Sequence, residues 1–314
     1  MMMKELTRTY ISYRRSIGEK YKTGGNVLDG FTRFVGENKN PRAISLTDCT
    51  SFLYGKNNRV TASWFIRYAT LKGLFEWALA RGYVEQVPLP DDKPKSIEHM
   101  TPYVYSYQEL EKLFDTALTF QKHKSKIPPE CIQAIIKLTY FLGLRISETL
   151  SLKVCNIDLK ESVATIRETK FNKTRIVPFN RQVNRMIRSF LKWRATQHPD
   201  CGDDCALFLD REGNPFHLDT VQDCFQRIRK KAGIRRFDDA YFQPRIHDLR
   251  HSFAVHRLTA WYREGKDVQR YLCHLSTYLG HSDLSHTSVY LSMTDNLLRE
   301  ASNLFESYSY GEKS

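Results

Sequence analysis

Tyr290 lies near the end of the chain in the segment "LGHSDLSHTSVYLSM", residues 279–293, among small and polar neighbours. A tyrosine hydroxyl can act as a nucleophile and form a covalent intermediate. Small neighbours would let such a side chain move in and out of a site. The same segment contains Gly280, which is expected to end a helix, and His281 on the turn that follows. The alternative is a core tyrosine whose hydroxyl is bonded to the backbone.

Arg145 lies in the segment "GLRISE", residues 143–148. Gly143 is predicted to end one helix and Ser147 to cap the next, so the arginine is expected at their junction. A guanidinium beside a helix N-terminus can bind a phosphate through two hydrogen bonds. An ordinary surface salt bridge explains Arg145 equally well when this segment is taken alone.

A histidine and an arginine share one face of a predicted helical turn in "HDLRHSFAVHRL", residues 247–258. His247 and Arg250 are three positions apart, so both can contact one anion, although this spacing is also common by chance. His251 and His256 are interpreted as structural, because nothing in the sequence pairs them with a partner.

Lys170 lies in the stretch "SVATIRETKFNKTRIVPFN", which alternates apolar and polar residues on both sides of a polar turn. This alternation predicts a β-hairpin. A flexible ammonium near the turn can reach over a bound strand, whereas most hairpin lysines only increase solubility.

The chain of 314 residues is strongly basic, since 48 Lys and Arg residues against 35 Asp and Glu residues leave a formal charge of +13. The excess is spread along the chain and predicts a polyanionic partner, although proteins that bind membrane surfaces can also be basic. No apolar run is long enough for a signal peptide or a transmembrane helix. The sequence therefore predicts a cytoplasmic protein with no membrane partner.

Seven scattered cysteines do not suggest a disulfide framework and fit a reducing compartment. In "HPDCGDDC" the side chains of His198, Cys201 and Cys205 could supply three zinc ligands, but no second clustered pair follows nearby. The other interpretation is a polar turn before a predicted strand, "ALFLD". The acidic pairs elsewhere lie in loop-like stretches and do not predict a two-metal nuclease site.

Six of these residues resemble, in type and order, the active site of the tyrosine recombinase or phage integrase family: Arg145, Lys170, His247, Arg250, His281 and Tyr290. The stretch "TYFLGLRISETLSLKVCNID" resembles the first arginine box of the family, "HDLRHSFAVHRL" its second box, and "LGHSDLSHTSVY" the segment of its nucleophile. The resemblance is strong over about residues 106–305, whereas residues 1–87 resemble the helical core-binding domain of the family in pattern only.

The resemblance implies a role for each group. Tyr290 would attack the phosphorus of a DNA phosphodiester and form a 3′-phosphotyrosyl link. Arg145 and Arg250 would neutralise the non-bridging oxygens, to one of which His281 would donate a hydrogen bond.

Two proton transfers complete the implied reaction. Lys170 would protonate the leaving 5′-oxygen, and His247 would take or orient the proton of the tyrosine. The implied reaction requires no metal ion and no nucleotide cofactor.

The elements that position these groups are predicted to form two domains. Residues 1–87 read as helices and form the expected DNA-binding core-binding domain, with Thr47 as a candidate N-cap. An apolar stripe of the first helix is expected to face inward and consists of Leu6, Tyr10, Tyr13, Ile17 and Tyr21. Residues 88–105 contain four prolines and are predicted to be an extended linker.

Residues 106–314 are expected to form the catalytic domain, with helices around the small sheet and an amphipathic helical tail after Tyr290. That tail could dock on its own domain or on a neighbouring protomer. The predicted fold class is mainly α with a small β-sheet. It combines a helical core-binding (SAM-like) domain with a mixed α/β tyrosine-recombinase catalytic domain.

We therefore expect a site-specific DNA recombinase or integrase that acts on double-stranded DNA with specific recombination sites. It would act as a homo-tetramer, alone or with sister recombinases. Departures from the family pattern at His286 and in "CHLSTY", residues 273–278, favour mobile-element integration or transposition over chromosome-dimer resolution. The alternatives are a type IB topoisomerase and a catalytically idle DNA-binding accessory protein. The second is disfavoured because all six catalytic positions hold competent residues.

Overall fold

A computed structural model describes residues 1–55, 60–95, 102–119, 125–167, 174–238, 242–281, 283–292, 299 and 302. The chain divides into two compact units, residues 1–99 and 100–314. Within the described ranges, no helix has the length and apolar character needed to cross a membrane.

The first unit is helical. Its helices are α1 (Met3–Ser16), α2 (Lys22–Val35), α3 (Leu46–Tyr54) and α4 (Ala62–Leu79), with a short 3-10 turn at Pro41–Ala43. The long helix α4 packs against each of the other three. Its buried aromatic side chains include Trp64 and Phe75, which lie in one continuous hydrophobic core with residues of α1, α2 and α3.

Two details of the first unit differ from the sequence prediction. Ser45, not Thr47, is the N-cap of α3, because its hydroxyl accepts a hydrogen bond from the backbone N–H of Asp48 at 3.1 Å. The Asp48 carboxylate in turn accepts from the backbone N–H of Ser45 at 2.9 Å, which completes a capping box. The inward stripe of α1 is wrong at Tyr13 and Ile17, whose side chains are exposed. The helix ends at Ser16, so Ile17 already lies beyond it.

The two ends of the predicted linker pack on different units. Leu89 is buried in the core of the first unit, and the hydroxyl of Tyr68 donates to the carbonyl of Pro90 at 3.0 Å. Tyr105 is fully buried in the core of the second unit, where its hydroxyl donates to the carbonyl of Arg245 at 3.1 Å. Residues 96–101 between them lie outside the described residues.

The second unit combines helices with a small sheet. In chain order its elements are α5 (Tyr107–Thr119), α6 (Pro129–Phe141), α7 (Ile146–Leu150), β1 (Ile157–Asp158), β2 (Val163–Ile166), β3 (Arg175–Pro178), α8 (Arg181–Gln197), α9 (Leu218–Lys231), α10 (Asp248–Arg263), α11 (Val268–Leu279) and α12 (Ser285–Ser288). Short 3-10 turns occur at Val154–Asn156 and Val289–Ser292. The predicted fold class, mainly α with a small sheet, is confirmed.

The sheet is antiparallel with the strand order β1-β2-β3. Strands β2 and β3 form the predicted hairpin, and the buried side chains of Ala164 and Val177 lie opposite each other in the register. The turn of the hairpin, residues 168–173, lies outside the described residues and includes Lys170.

The predicted strand "ALFLD" is wrong. Its residues make only isolated bridges, Lys153 with Ala206 and Leu209 with Pro215. The carbonyls of Ala206 and Leu207 accept hydrogen bonds from the buried guanidinium of Arg194, at 2.7 and 3.0 Å. A side chain therefore occupies positions that a strand partner would otherwise take.

Helix α6 lies at the centre of the second unit and packs against α5, α7, α8, α9 and α10. It ends at Phe141, and Gly143 then turns the chain with a positive φ of 58°. A Cβ atom at Gly143 would lie 2.5 Å from the ring of Phe253 on α10. This close approach brings the start of α7 next to α10, on which His247, Arg250 and His251 are found.

Candidate active site

Arg145 is held at the start of α7 by the helix cap. It is the N-cap residue itself, and its backbone N–H donates to the carboxylate of Glu148 at 2.9 Å. The prediction that Ser147 caps this helix is wrong, because the helix already begins at Ile146. The guanidinium donates to Glu148 Oε1 at 2.8 Å and to the carbonyl of Gly280 at 3.2 Å.

Glu148 is a buried carboxylate at the centre of three arginines. Arg175 on β3 donates to both of its oxygens, at 3.0 and 2.7 Å, and a guanidinium nitrogen of Arg250 lies 3.8 Å from Oε2. Burial raises the pKa of Glu148, but the hydrogen bonds and charge of Arg175 and the bonds from Arg145 outweigh it and lower the pKa to about 2. The carboxylate is therefore ionised and orients the arginines.

Sequence reasoning did not identify Glu148 and Arg175 as site residues. A signal was available for Glu148, because an acidic residue three positions after the N-cap of a helix is typical of a capping box. No local signal marks Arg175. Its position depends on β3 passing the end of α11, where its Nε donates to the carbonyl of Tyr278 at 3.0 Å.

Arg250 is almost completely buried on the first turns of α10. Its guanidinium donates to the carbonyl of Gly143 at 2.9 Å and to the carbonyl of Leu279 at 2.7 Å. Both carbonyls lie at the C-terminal ends of helices, where the partial charge is negative and stabilises a cation. Burial, together with the charge of Arg145, lowers the pKa of Arg250 to about 10, so it remains protonated at neutral pH.

Tyr290 is buried in the 3-10 turn Val289–Ser292. Its hydroxyl lies 3.1 Å from Nδ1 of His251, and its ring stacks at 6.2 Å on the ring of His281. Burial raises the pKa of the Tyr290 hydroxyl, whereas Arg250 and Arg145 lower it. The interpretation of His251 as a residue without a partner is wrong, because it contacts the candidate nucleophile.

His247 lies at the N-cap of α10, with its ring centre 5.0 Å from that of His251 in an edge-to-face arrangement. Burial lowers the pKa of His247 to about 4, and the charges of His251 and Arg250 act in the same direction. At neutral pH the His247 imidazole is therefore uncharged. His256, further along α10, accepts or donates a hydrogen bond with the hydroxyl of Tyr140 at 2.8 Å and so also has a partner.

His281 follows Gly280, which ends α11 in the left-handed conformation with a φ of 69°. Nδ1 of His281 lies 2.7 Å from the hydroxyl of the buried Thr287 on α12. The side chain of Arg175 packs against Gly280, since a Cβ atom there would lie 3.0 Å from its guanidinium. The turn therefore joins the histidine to the cluster of arginines.

The structure brings five of the six predicted site residues into one cluster through the ends of α6, α10 and α11: Arg145, His247, Arg250, His281 and Tyr290. The sixth, Lys170, lies outside the described residues. The predicted tail helix after Tyr290 also lies outside them, apart from Arg299 and Ser302.

The cysteine-rich turn is separate from this cluster. The interaction of Cys201 with Cys205 raises the pKa of the Cys201 thiol. Within the part of the chain that the structure describes, no three His, Cys, Asp or Glu side chains come together in a way that could hold a metal ion.

Comparison with known proteins agrees with this geometry. Residues 105–296 match the family model described as "Phage integrase family". The tyrosine recombinase XerD of Corynebacterium glutamicum is 32% identical over 232 residues, which cover 73% of this chain and 69% of the relative.

Two solved structures resemble the whole chain. The crystal structure of XerA recombinase has a TM-score of 0.51 at 26% identity and covers 99% of this chain and 98% of its own. The Tn1549 transposon integrase was solved in complex with a circular intermediate DNA. It has a TM-score of 0.71 at 18% identity, and the match covers 96% of this chain and 99% of the integrase chain. The second likeness concerns the fold alone. The chain belongs to the phage integrase family and is a tyrosine-type site-specific DNA recombinase.

Proposed function

We propose that the protein cuts and rejoins DNA strands through a covalent 3′-phosphotyrosyl link at Tyr290, in the service of a mobile genetic element. The observation that supports this most is the position of the Tyr290 hydroxyl, which lies beside a neutral histidine and close to the charges of Arg250 and Arg145. Attack on a phosphodiester requires charge neutralisation and proton transfer, and both kinds of group are present.

In the proposed reaction the arginines neutralise the negative charge of the scissile phosphate. Arg145 and Arg250 bind the non-bridging oxygens of the scissile phosphate, and Glu148 holds their guanidinium groups in place. His281 donates a hydrogen bond to one of these oxygens. Lys170 protonates the leaving 5′-oxygen, and the phenolate leaves again when a 5′-hydroxyl returns to rejoin the strand.

The proposed substrate is double-stranded DNA with specific recombination sites. The formal charge of +13 suits a polyanion, and one structural relative is described in complex with a circular intermediate DNA. Exchange of strands between two duplexes requires a cut in each of four strands, so we propose a homo-tetramer on DNA, alone or with sister recombinases. Two observations support the mobile-element role: the similarity of the fold to a transposon integrase, and the departures of this sequence from the family pattern.

Covalent capture tests this proposal. The full chain is incubated with a pool of nicked duplexes of randomised sequence without metal, denatured, and the linked DNA is sequenced. We expect links that converge on one motif and vanish in Tyr290→Phe. Tyr278→Phe serves as the matched control, because Tyr278 lies on α11 in the same unit and should leave the links intact.

Two results would contradict the proposal. Salt-sensitive DNA binding without links above those of Tyr290→Phe would indicate a DNA-binding accessory protein. Links accompanied by relaxation of supercoiled plasmid, without any recombined product, would indicate a type IB topoisomerase.

A further inference from the structure

The hydroxyl of Tyr290 has a specific hydrogen-bond partner on α10. Nδ1 of His251 lies 3.1 Å from it, with the ring centres 5.5 Å apart. The helix places His251 immediately after Arg250, whose guanidinium is directed to the carbonyls of Gly143 and Leu279. Two consecutive residues of α10 therefore contact different parts of the site: Arg250 belongs to the arginine cluster, and His251 contacts the tyrosine.

His247, to which the family resemblance assigns the tyrosine proton, is one ring further away. Its ring contacts that of His251 edge-to-face at 5.0 Å. The hydrogen bond with the Tyr290 hydroxyl is formed by His251 and not by His247. A base must lie within hydrogen-bond reach of the proton that it takes. His251 meets this requirement in the structure.

The surroundings of His251 keep its imidazole uncharged. The charged and titratable groups around it are His247 and Arg250 on its own helix, Arg245 in the segment before the helix, and Tyr290 on the facing 3-10 turn. Burial lowers the pKa of His251 to about 4, and the charges of Arg250 and Arg245 act in the same direction. At neutral pH the ring can therefore accept a proton.

Resting on the proposed function, we infer that His251 is the general base that takes the proton of Tyr290 when the tyrosine attacks DNA. The O–H bond of Tyr290 breaks and its proton moves to Nδ1 of His251 as the bond from the phenolic oxygen to phosphorus forms. The bond from phosphorus to the 5′-oxygen then breaks, and that oxygen receives a proton from the general acid. When the strand is rejoined, the imidazolium returns its proton to the leaving phenolate.

The first test is His251→Asn in the full chain, on a nicked duplex selected by the covalent capture. The asparagine carboxamide places an oxygen near the position of Nδ1, so it can accept the hydrogen bond but cannot take the proton. We expect the single-turnover rate of link formation at neutral pH to fall by about a hundredfold or more. A rate within about threefold of wild type would overturn the assignment and leave His251 as a residue that only positions the tyrosine.

His256→Asn is the matched control. His256 lies on the same helix and contacts a tyrosine hydroxyl through Nδ1, at 2.8 Å from Tyr140, and its pKa is likewise lowered to about 4. Loss of a buried histidine-tyrosine hydrogen bond is thus common to both variants. We expect His256→Asn to form links at close to the wild-type rate, and an equal loss in both variants would assign the effect of His251 to stability.

The pH dependence separates a base from a structural residue. Without a base, attack depends on the phenolate, whose concentration rises about tenfold per pH unit below the pKa of the tyrosine. We therefore expect the difference in the rate of link formation between wild type and His251→Asn to decrease steadily as the pH is raised above neutral. A deficit that stays constant with pH would contradict proton transfer to His251.

A third measurement removes the tyrosine from the reaction. A DNA strand that ends in a 3′-nitrophenyl phosphate can be ligated to a 5′-hydroxyl by the Tyr290→Phe protein, because nitrophenolate replaces the tyrosine as leaving group. Adding His251→Asn should lower this ligation by less than about threefold, whereas Arg250→Ala should abolish it. A large loss from His251→Asn here would overturn the assignment. Absence of any Tyr290-dependent link in the wild-type protein would instead overturn the proposed function together with it.

Discussion

At the scale of single residues, the Glu148 carboxylate connects groups that lie far apart in the chain. It accepts hydrogen bonds from Arg145 on α7 and from Arg175 on β3, and it lies 3.8 Å from Arg250 on α10. A buried charge is stable only when it is paired, so Glu148 and the arginines depend on each other. Removing the carboxylate would leave several guanidinium groups close together without compensation.

We expect Glu148→Gln to lower the free energy of unfolding by about 3 kcal/mol at neutral pH, because it breaks a buried ion pair by removing one partner. Link formation should also fall, since Arg145 loses the group that orients it. Thermal unfolding and covalent capture measure the two effects. Glu161→Gln, which alters an exposed carboxylate before β2, is the control and should change neither.

The stabilisation that Glu148 provides should depend on pH. The pKa of Glu148 is lowered in the folded protein from 4.5 to about 2, so its contribution to stability is complete above 4.5 and is lost as the pH falls towards 2. The difference in unfolding midpoint between wild type and Glu148→Gln should therefore shrink over this range. A difference that does not change between neutral pH and pH 2 would contradict the ionised, paired state of the carboxylate.

At the scale of elements, the site is assembled where helices end. The carbonyls after α6 and at the end of α11 accept the two hydrogen bonds of Arg250, and Gly280 accepts one from Arg145. The turn at Gly143 lets α6 approach α10 closely. The space between the backbone of Gly143 and the ring of Phe253 is too small for any side chain. The geometry of the arginines therefore depends on two glycine turns.

Gly143→Ala tests this dependence. The change strains a backbone with a positive φ of 58° and places a Cβ atom 2.5 Å from Phe253, so both stability and link formation should decrease. Gly82→Ala is the control, because Gly82 has a similar φ of 71° but nothing within 4 Å of the added atom. We expect the control to cost about 1 kcal/mol from backbone strain alone, with link formation unchanged. Equal effects of the two substitutions on link formation would contradict the role of the turn.

At the scale of the whole molecule, the formal charge of +13 predicts that DNA binding weakens steeply with salt. Each phosphate neutralised by a cation adds about 0.9 to the slope of the logarithm of affinity against the logarithm of salt concentration. Arg145→Ala should therefore reduce that slope by about one. Tyr290→Phe keeps all charges and should leave the slope unchanged. The slope is measured by titrating the captured duplex at several salt concentrations. An unchanged slope for Arg145→Ala would show that Arg145 does not contact a phosphate in the complex.

The amino-acid sequence by itself determined the family, the helical character, the hairpin and the identity of most candidate groups. These features are local, because a helix, a hairpin and a motif each depend on residues that are near neighbours along the chain. The helix caps at Ser45 and Arg145 were also encoded locally, yet the predicted caps, Thr47 and Ser147, lie two residues further along the chain, because the usual preference for serine or threonine at the cap favours them.

Only the tertiary structure decided which groups meet. Arg145 and Gly280 are 135 residues apart, Arg175 and Glu148 are 27 apart, and His251 and Tyr290 are 39 apart. No periodicity or spacing connects such positions, because their contact results from the packing of α6, α7, α10 and β3 around one core. The proposal that His251 takes the tyrosine proton, where the motif indicates His247, rests on a contact of this kind, because the packing of α10 against the last 3-10 turn places His251 beside the hydroxyl.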